Sequence, residues 1–250
     1  MSNKAHEFAA LHIKGAPVVL YNCWDAGSAA AIAAGGAPAL ATGSLAVAAV
    51  QGYGDGEQLP MTHLLRLATH IAGAQDVPLS VDFEGAYGDA PEIVAAHAKM
   101  LADTGAIGMN FEDRRVQGAG LWDIEEHCAR IAAIRAAVGP DFFINARTDL
   151  FLQSDAADHA GLVAEASARG QAYAAAGASG FFVPKLGDAA LIAQICAQVS
   201  LPVNVLVFAG LAPRADLEAA GVARISYGPA SYSAAMQAVT LAAQAIYLQR

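Results

Sequence analysis

Aromatic residues are scarce in this sequence, at 7% of 250 residues, although 56% of the chain is hydrophobic. The apolar residues are therefore mostly Ala, Val, Leu and Ile, which suit helices packed around a sheet. This composition excludes a disordered or fibrous chain. The length suits one large domain, and two unrelated domains would fit poorly.

Basic residues are also few, with 14 Lys and Arg against 23 Asp and Glu and a net charge of −9. Arg114 and Arg115 form the largest basic cluster. Nucleic acid is therefore not an expected partner. A small anionic substrate is compatible with this charge, because a metal ion and one or two arginines reverse the potential inside a cleft.

The chain has three cysteines, Cys23, Cys128 and Cys196, without CxxC spacing. This pattern argues against a disulfide framework and against structural zinc. The first residues contain no apolar run typical of a secretory signal. We expect a reducing, cytoplasmic location.

Two long stretches carry no charge, residues 26–54 and 225–249. Neither is expected to cross a membrane, because Gly35, Gly36 and Pro38 divide the first, while Ser, Tyr and Gln recur through the second. We expect the second stretch to be buried between subunits of a homo-oligomer, a dimer or tetramer. Burial in an ordinary core is the alternative.

Short apolar runs alternate with Ala-rich helical stretches throughout the chain, which is typical of βαβ units. The predicted strands are Val18–Asn22, Pro38–Thr42, Leu79–Phe83, Gly108–Phe111, Phe142–Arg147, Gly180–Val183, Val203–Val207 and Arg224–Ser226. The predicted helices are Ser28–Ala34, Met61–Ala72, Glu92–Asp103, Asp123–Ala137, Ala157–Ala176, Ala189–Gln198, Pro213–Ala220 and Ala230–Leu248. Eight such repeats predict one (β/α)8 barrel formed by residues 1–250.

Several predicted helices end in a glycine before an apolar strand, as at Gly105, Gly177 and Gly221. Glycine takes the left-handed position after a helix at little cost, so these residues fix the direction of the chain. Polar residues at the carboxyl ends of the strands should then meet at one mouth of the barrel. They are Asp25, Thr42-Gly43-Ser44, Asp82, Glu84, Glu112, Asp113, Arg147, Asp149, Lys185, Asn204 and Ser226-Tyr227.

The acidic residues in this set predict a hard-cation site. Carboxylates brought together repel one another unless a divalent ion or an arginine neutralises them. Asp82 and Glu84 are two residues apart, so both side chains lie on one face of a strand, although a solvated loop is the alternative. No histidine stands at a strand end, which disfavours zinc and copper.

Arg147 ends a predicted buried strand, and two compatible roles follow. It forms an ion pair with a site carboxylate, or it binds a substrate carboxylate or phosphonate in a bidentate manner. The Thr42-Gly43-Ser44 segment either forms a simple turn or offers backbone N–H groups to an anion.

Six motifs in order along the chain resemble the isocitrate lyase and phosphoenolpyruvate mutase superfamily. They are Asn22-x-Trp24-Asp25-x-x-Ser28-Ala29, Gly52-Tyr53-Gly54-Asp55, Asp82-Phe-Glu84-Gly-x-Tyr87-Gly88, Asn110-Phe-Glu112-Asp113, Ala146-Arg147-Thr-Asp149 and Pro202-Val-Asn204-Val. The resemblance implies a phosphoenolpyruvate/pyruvate-type barrel that uses Mg2+, with Mn2+ as the alternative, to stabilise the enolate of a 2-oxo acid. It also implies tetramers in which the last helix is exchanged between subunits.

The resemblance assigns roles to individual residues. It implies metal binding by Asp55, Asp82, Glu84 and Glu112, with Asp82 the closest ligand. It implies catalytic roles for Arg147, Glu112 and Asp55, and substrate binding by Trp24, Asp25, Gly43, Ser44, Leu45, Lys185 and Asn204.

The segment after Glu112 and Asp113 departs from the superfamily. Its lyases carry Lys-Lys/Arg-Cys-Gly-His there and its mutases carry Lys-Thr-Asn-Ser, whereas this chain has a short lid, residues 114–122. After the sixth strand, Pro184-Lys185 replaces the Glu or His of other members. Three hypotheses remain: a Mg2+-dependent carbon–carbon lyase or decarboxylase of a small 2-oxo or 2-hydroxy dicarboxylate, a P–C bond hydrolase or phosphonomutase, and a non-catalytic barrel with a degenerate lid.

Overall fold

The computed structural model describes residues 3–248, so the ends of the predicted domain, residues 1–2 and 249–250, lie outside the described part. Eight parallel strands form one sheet in the order β1-β8-β7-β6-β5-β4-β3-β2. They are β1 (Val18–Leu20), β2 (Leu40–Ala41), β3 (Leu79–Asp82), β4 (Gly108–Glu112), β5 (Phe143–Arg147), β6 (Gly180–Phe182), β7 (Val203–Leu206) and β8 (Arg224–Ser226). An isolated parallel bridge between Cys23 and Thr42 joins the edges, and the result is a nearly closed (β/α)8 barrel.

Helices follow the strands around the barrel. They are α1 (Asn3–Ala10), α2 (Ala26–Ala34), α3 (Ser44–Val50), α4 (Met61–Ala74), α5 (Pro91–Ala102), α6 (Ile124–Val138), α7 (His159–Ala175), α8 (Ala189–Gln198), α9 (Arg214–Ala219) and α10 (Ala230–Tyr247). All eight predicted strands and all eight predicted helices are confirmed, with shifts at their ends. Helices α1 and α3 were not predicted. No helix within residues 3–248 is long and apolar enough to cross a membrane.

The main core lies between the strands and the surrounding helices, and a smaller core fills the amino-terminal end of the barrel. Helix α1 covers that end, where the buried Phe8 ring packs edge-on against Phe143 at 5.2 Å between centroids. Gly105, Gly177 and Gly221 follow helices with φ of 94°, 104° and 88°, which confirms the predicted chain direction. The carboxyl ends of the strands therefore share the opposite end of the barrel.

Candidate active site

A cavity of about 220 Å³ opens at the carboxyl ends of the strands. One side carries polar residues that follow or end β2 to β5, namely Thr42, Ser44, Asp55, Asp82, Asn110 and Arg147. The other side is apolar and comes from the segments after β5 to β8, namely Leu152, Phe182, Pro184, Leu206 and Pro229. The strand order places these two sides opposite each other across the barrel.

Asp82 is held in one orientation by its neighbours. Its Oδ2 accepts a hydrogen bond from the backbone N–H of Ser44 (3.0 Å), and its Oδ1 accepts one from Asn110 Nδ2 (3.2 Å). Because the carboxylate only accepts, Asn110 turns its oxygen away, where it accepts from Asn145 Nδ2 (2.9 Å). The predicted closest metal ligand is thus buried, oriented and open to the cavity.

The predicted anion-binding segment is the start of a helix. Gly43 is the N-cap of α3, and Gly43, Ser44 and Leu45 all line the cavity. The Ser44 amide already donates to Asp82. Its predicted role toward a substrate carboxylate therefore stays a prediction.

The surroundings of two further acidic side chains, Glu84 and Glu112, destabilise their charged forms. Burial, followed by the charges of Asp82 and Asp55, raises the pKa of Glu84 to about 8. Burial also raises the pKa of Glu112 well above its usual value, although Arg147 beside it acts in the opposite direction. Such a set of acids is stabilised by added positive charge.

Glu57 belongs to this acidic region, although no motif in the sequence singles it out. Its backbone N–H donates to Glu84 Oε2 (2.9 Å), and its Oε1 accepts from the backbone N–H of Tyr87 (2.7 Å). Burial raises the pKa of Glu57 as well. Glu57 lies in a loop and its own φ is 59°, a backbone conformation that no strand or helix pattern predicts.

The donor set fits Mg2+ better than zinc. Within residues 3–248, no three His, Cys, Asp or Glu side chains converge as ligands of one ion. Zinc sites use three or four protein ligands, whereas Mg2+ is commonly held by one or two carboxylates and keeps several waters. Oxygen-only donors around Asp82 match the second arrangement.

Arg147 is fixed by two carboxylates and faces the cavity. Its Nη1 lies 3.0 Å from Glu112 Oε2, and its Nε and Nη2 donate to the two oxygens of Asp149 at 2.5 and 3.0 Å. The predicted ion pair is confirmed, while substrate binding stays a prediction. Asp149 is itself anchored by its N–H, which donates to the buried Asp113 (2.9 Å).

Four other predicted substrate-binding residues do not line the cavity. Asp25 caps α2 by accepting from the Ser28 N–H, Trp24 packs against Tyr232, and the Lys185 ammonium lies 4.6 Å from the centre of the Phe208 ring. Asn204 is buried, and its Oδ1 accepts from Ser226 Oγ (3.2 Å). Direct substrate contact by these four residues stays a prediction.

The short lid is folded back on itself. Arg114 and Leu121 form an antiparallel bridge, and the Arg115 N–H donates to the Gly120 carbonyl. The Trp122 ring contacts the guanidinium carbons of both Arg115 (4.0 Å) and Arg130 (4.6 Å). A second cavity, of about 290 Å³, lies beside this lid, but Asp82 and Arg147 face the first one.

Comparisons with known proteins give the relatives of this chain. The model of the family described as phosphoenolpyruvate phosphomutase matches residues 8–247. An uncharacterised protein of Mycobacterium tuberculosis is 36% identical, with 96% of this chain and 88% of that protein covered. An oxaloacetate decarboxylase of Ectopseudomonas mendocina is 29% identical, with 78% and 68% covered. A crystal structure from Burkholderia cenocepacia J2315, of a protein assigned provisionally as a phosphonomutase, is 46% identical with a TM-score of 0.93, and covers 97% of this chain and 100% of its own.

Proposed function

Since the chain belongs to the phosphoenolpyruvate phosphomutase family and is an enzyme of the isocitrate lyase and phosphoenolpyruvate mutase type, we propose that it is a Mg2+-dependent carbon–carbon lyase or decarboxylase. Its substrate is a small 2-oxo or 2-hydroxy dicarboxylate, and the reaction passes through the enolate of pyruvate. The cavity of about 220 Å³ suits a molecule of this size.

The observation that carries this proposal is the division of the cavity into two sides. On the polar side, Arg147 and a Mg2+ ion held by Asp55 and Asp82 would suit the oxo and carboxylate oxygens of the substrate. The apolar side, with Phe182 and Leu206, surrounds the part of the substrate that leaves. When CO2 leaves, the negative charge of the departing carboxylate moves to the enolate oxygen, so an apolar surrounding at the departing group favours the transition state over the charged ground state.

Each polar residue then has a role in the proposed reaction. Asp82 would hold Mg2+ directly, and Asp55, Glu84 and Glu112 would complete its shell directly or through water. The ion supplies a Lewis acid that polarises the keto and carboxylate oxygens. Arg147, held by Glu112 and Asp149, binds the substrate carboxylate and stabilises the charge that develops on the enolate.

P–C bond chemistry is the second candidate, because the 46% identical Burkholderia protein carries a provisional phosphonomutase assignment. A phosphonate has three oxygens that need donors or cations. Ser226 lines the apolar side of the cavity, but its hydroxyl already donates to Asn204 Oδ1. This shortage of hydrogen-bond donors supports carbon–carbon cleavage over P–C cleavage.

The proposal is tested by product analysis. NMR follows oxaloacetate, methylisocitrate, 2,3-dimethylmalate and phosphonopyruvate, each with protein and Mg2+ or EDTA, against a Mg2+ blank without protein. We expect metal-dependent pyruvate formation above the blank from at least one of the first three substrates. Asp82→Ala should abolish it, and Asp103→Asn, at an exposed acid just after the end of α5, should not.

Each alternative has its own outcome. Phosphate released from phosphonopyruvate, without turnover of the other three, would replace the proposal with P–C chemistry. No turnover of any substrate would favour the non-catalytic barrel.

Assembly and location complete the proposal. We propose a homo-oligomer, a dimer or tetramer, in which α10 is exchanged between subunits, because this uncharged helix is largely exposed in one chain. The three cysteines are free thiols, which supports the cytoplasm as location.

A further inference from the structure

The barrel interior contains a fully buried cation, Arg224, that no part of the proposed mechanism uses. Burial lowers the pKa of Arg224 to about 10 and the charge of Asp82 acts in the opposite direction, so the guanidinium stays charged at neutral pH. Its Nη1 and Nη2 atoms have no hydrogen-bond partner within residues 3–248. An unpaired buried charge is costly, so a group that accepts hydrogen bonds from it is expected nearby.

The strand register places the inward-facing side chains of the barrel in stacked layers. The lower layer consists of Ala39, Gly108, Gly180 and Arg224. The upper layer, which is the next one toward the cavity, consists of Leu20, Ser80, Asn145 and Asn204. The guanidinium of Arg224 reaches the upper layer, because its centre lies 6.0 Å from the Phe8 ring below and its Nε donates to Ser226 Oγ (3.0 Å) above.

Two other side chains of the upper layer also have an unpartnered polar atom. Ser80 Oγ and Asn204 Nδ2 have no partner in the described part of the chain, and each residue is 1% exposed. The residues on either side of Ser80 and of Asn204 belong to the main core outside the strands, so both side chains face the barrel interior. Neither residue lines the cavity above.

The orientation of the Asn204 amide follows from the hydrogen bonds around it. A guanidinium can only donate, so Ser226 Oγ accepts from Arg224 and gives its own single proton to Asn204 Oδ1 (3.2 Å). The Asn204 oxygen therefore faces Ser226, and its NH2 group is left as a donor.

Donors predominate among the unpartnered atoms of this region. The two Nη atoms of Arg224 and Nδ2 of Asn204 can only donate, and the Ser80 hydroxyl can donate as well. Water would accept some of these hydrogen bonds but would leave the guanidinium charge unpaired. A small anion accepts from all of these donors and neutralises the charge, and such charge-assisted hydrogen bonds are the stronger ones.

We propose that the barrel interior binds one monatomic anion of about the size of chloride, held by the Arg224 guanidinium, the Asn204 amide and the Ser80 hydroxyl. The inference goes beyond the proposed function, because this anion lies below the floor of the cavity and takes no part in the reaction. Its role is to pair the buried charge of Arg224 and so to stabilise the folded barrel.

Thermal unfolding tests the site in solution. Halide-free wild type is compared in sodium chloride and in sodium methanesulfonate at equal concentration, because methanesulfonate is a monovalent anion too large for the enclosed site. Chloride that binds only the folded state should raise the Tm by about 5 °C or more when its concentration is about 100 times Kd. Arg224→Met removes the charge that the anion pairs, so the Tm of this variant should be the same in both salts.

Two further variants serve as control and as second test. Arg214→Met removes an exposed arginine on α9 and should keep the chloride-dependent rise in Tm of the wild type. Ser80→Ala keeps the cation and removes one donor, so the chloride concentration needed for half of the rise should increase about tenfold. Should Arg224→Met fail to fold, Ser80→Ala carries the comparison.

Crystals grown in sodium bromide locate the anion by anomalous scattering. We expect one bromide peak enclosed by Arg224, Asn204 and Ser80 in the wild type and no peak at this place in Arg224→Met.

Three results would overturn the inference. A wild-type Tm that is equal in the two salts would show that water satisfies these donors. Equal chloride-dependent rises in the wild type and Arg224→Met would place the bound chloride elsewhere. Bromide peaks at exposed arginines alone would be adventitious. None of these measurements depends on pyruvate formation, so the inference and the proposed function fail independently.

Discussion

Arg147 reaches the cavity between carboxylates that belong to two different segments, Glu112 at the end of β4 and Asp149 after β5. The planar guanidinium contacts both carboxylates at once, and an ammonium group cannot donate hydrogen bonds in the same planar geometry. Arg147→Lys should therefore lower kcat/KM about 100-fold, equivalent to about 3 kcal/mol, with little change in Tm. Arg214→Lys, which alters an exposed ion pair with Glu218 on α9, is the matched control and should retain full activity. Steady-state kinetics checks both, and full activity of Arg147→Lys would show that this arginine does not bind substrate.

His127 offers a test of stability against pH. It is fully buried on α6, stacked on Phe111, and burial lowers its pKa well below 6.5. As pH falls through 6.5, the unfolded chain binds a proton at this site and the folded chain does not, so stability is present above 6.5 and is lost below it. Between pH 7.5 and 5.5 this residue should cost the folded state about 1 kcal/mol.

The matched variant is His127→Phe, which keeps an aromatic ring against Phe111 and cannot titrate. Urea unfolding at the two pH values, at one protein concentration, should show a smaller pH-dependent loss in this variant than in the wild type. Equal losses in the two proteins would mean that His127 is protonated in the folded state.

Some site residues were readable from the sequence and others were not. Asp82, Glu112 and Arg147 each end an apolar strand, and the carboxyl ends of parallel strands meet at one end of a barrel, so their proximity was predictable. Glu57 lies in a loop, and its position depends on contacts with Glu84 and Tyr87 that no periodicity encodes. The sequence predicts Arg224 only as the first residue of a strand, because it does not show that the Nη atoms of this buried side chain have no partner within residues 3–248.

The alternation of strands and helices was also predicted well. The eight strands are short apolar runs with glycines and helices between them, which explains why they were found. Helix α3 is absent from the predicted helices because its residues, Ser44–Val50, follow a glycine and show no polar face. Helix α1 precedes the first strand and becomes recognisable only through Phe8, which fills the amino-terminal end of the barrel.

The lid is an element whose stability depends on one side chain. Trp122 lies between the guanidinium groups of Arg115 and Arg130, and each contact contributes about 0.5 to 1 kcal/mol. Trp122→Leu should therefore increase the opened fraction of the lid about tenfold. Limited trypsin digestion followed by mass spectrometry should show faster cleavage after Arg114 or Arg115 in the variant.

An internal control comes from the same digestion. Arg66 is exposed but lies within α4, so cleavage there should stay slow in both proteins. Unchanged cleavage of the lid would show that the hairpin between Arg114 and Leu121 holds without the tryptophan. Faster cleavage after Arg66 as well would indicate general unfolding instead of lid opening.

At the scale of the whole molecule, the most exposed large apolar side chains within residues 3–248 lie near the end of the chain. Along α10 and just after it, Val239 is 61% exposed, Leu241 58%, Ile246 71% and Leu248 73%. A patch of this kind marks an interaction site, and a second copy of the chain supplies an equally uncharged helix to cover it. Size-exclusion chromatography with light scattering should therefore give a mass of two or four times 25.5 kDa.

Val239→Glu combined with Leu241→Glu should shift the mass toward one chain, because burying two carboxylates in an apolar contact is costly. The matched control, Gln237→Glu with Gln244→Glu, adds the same charge at polar positions of the same helix and should shift it less. A wild type of 25.5 kDa would contradict the proposed assembly, and equal shifts in both double variants would place the contact away from Val239 and Leu241.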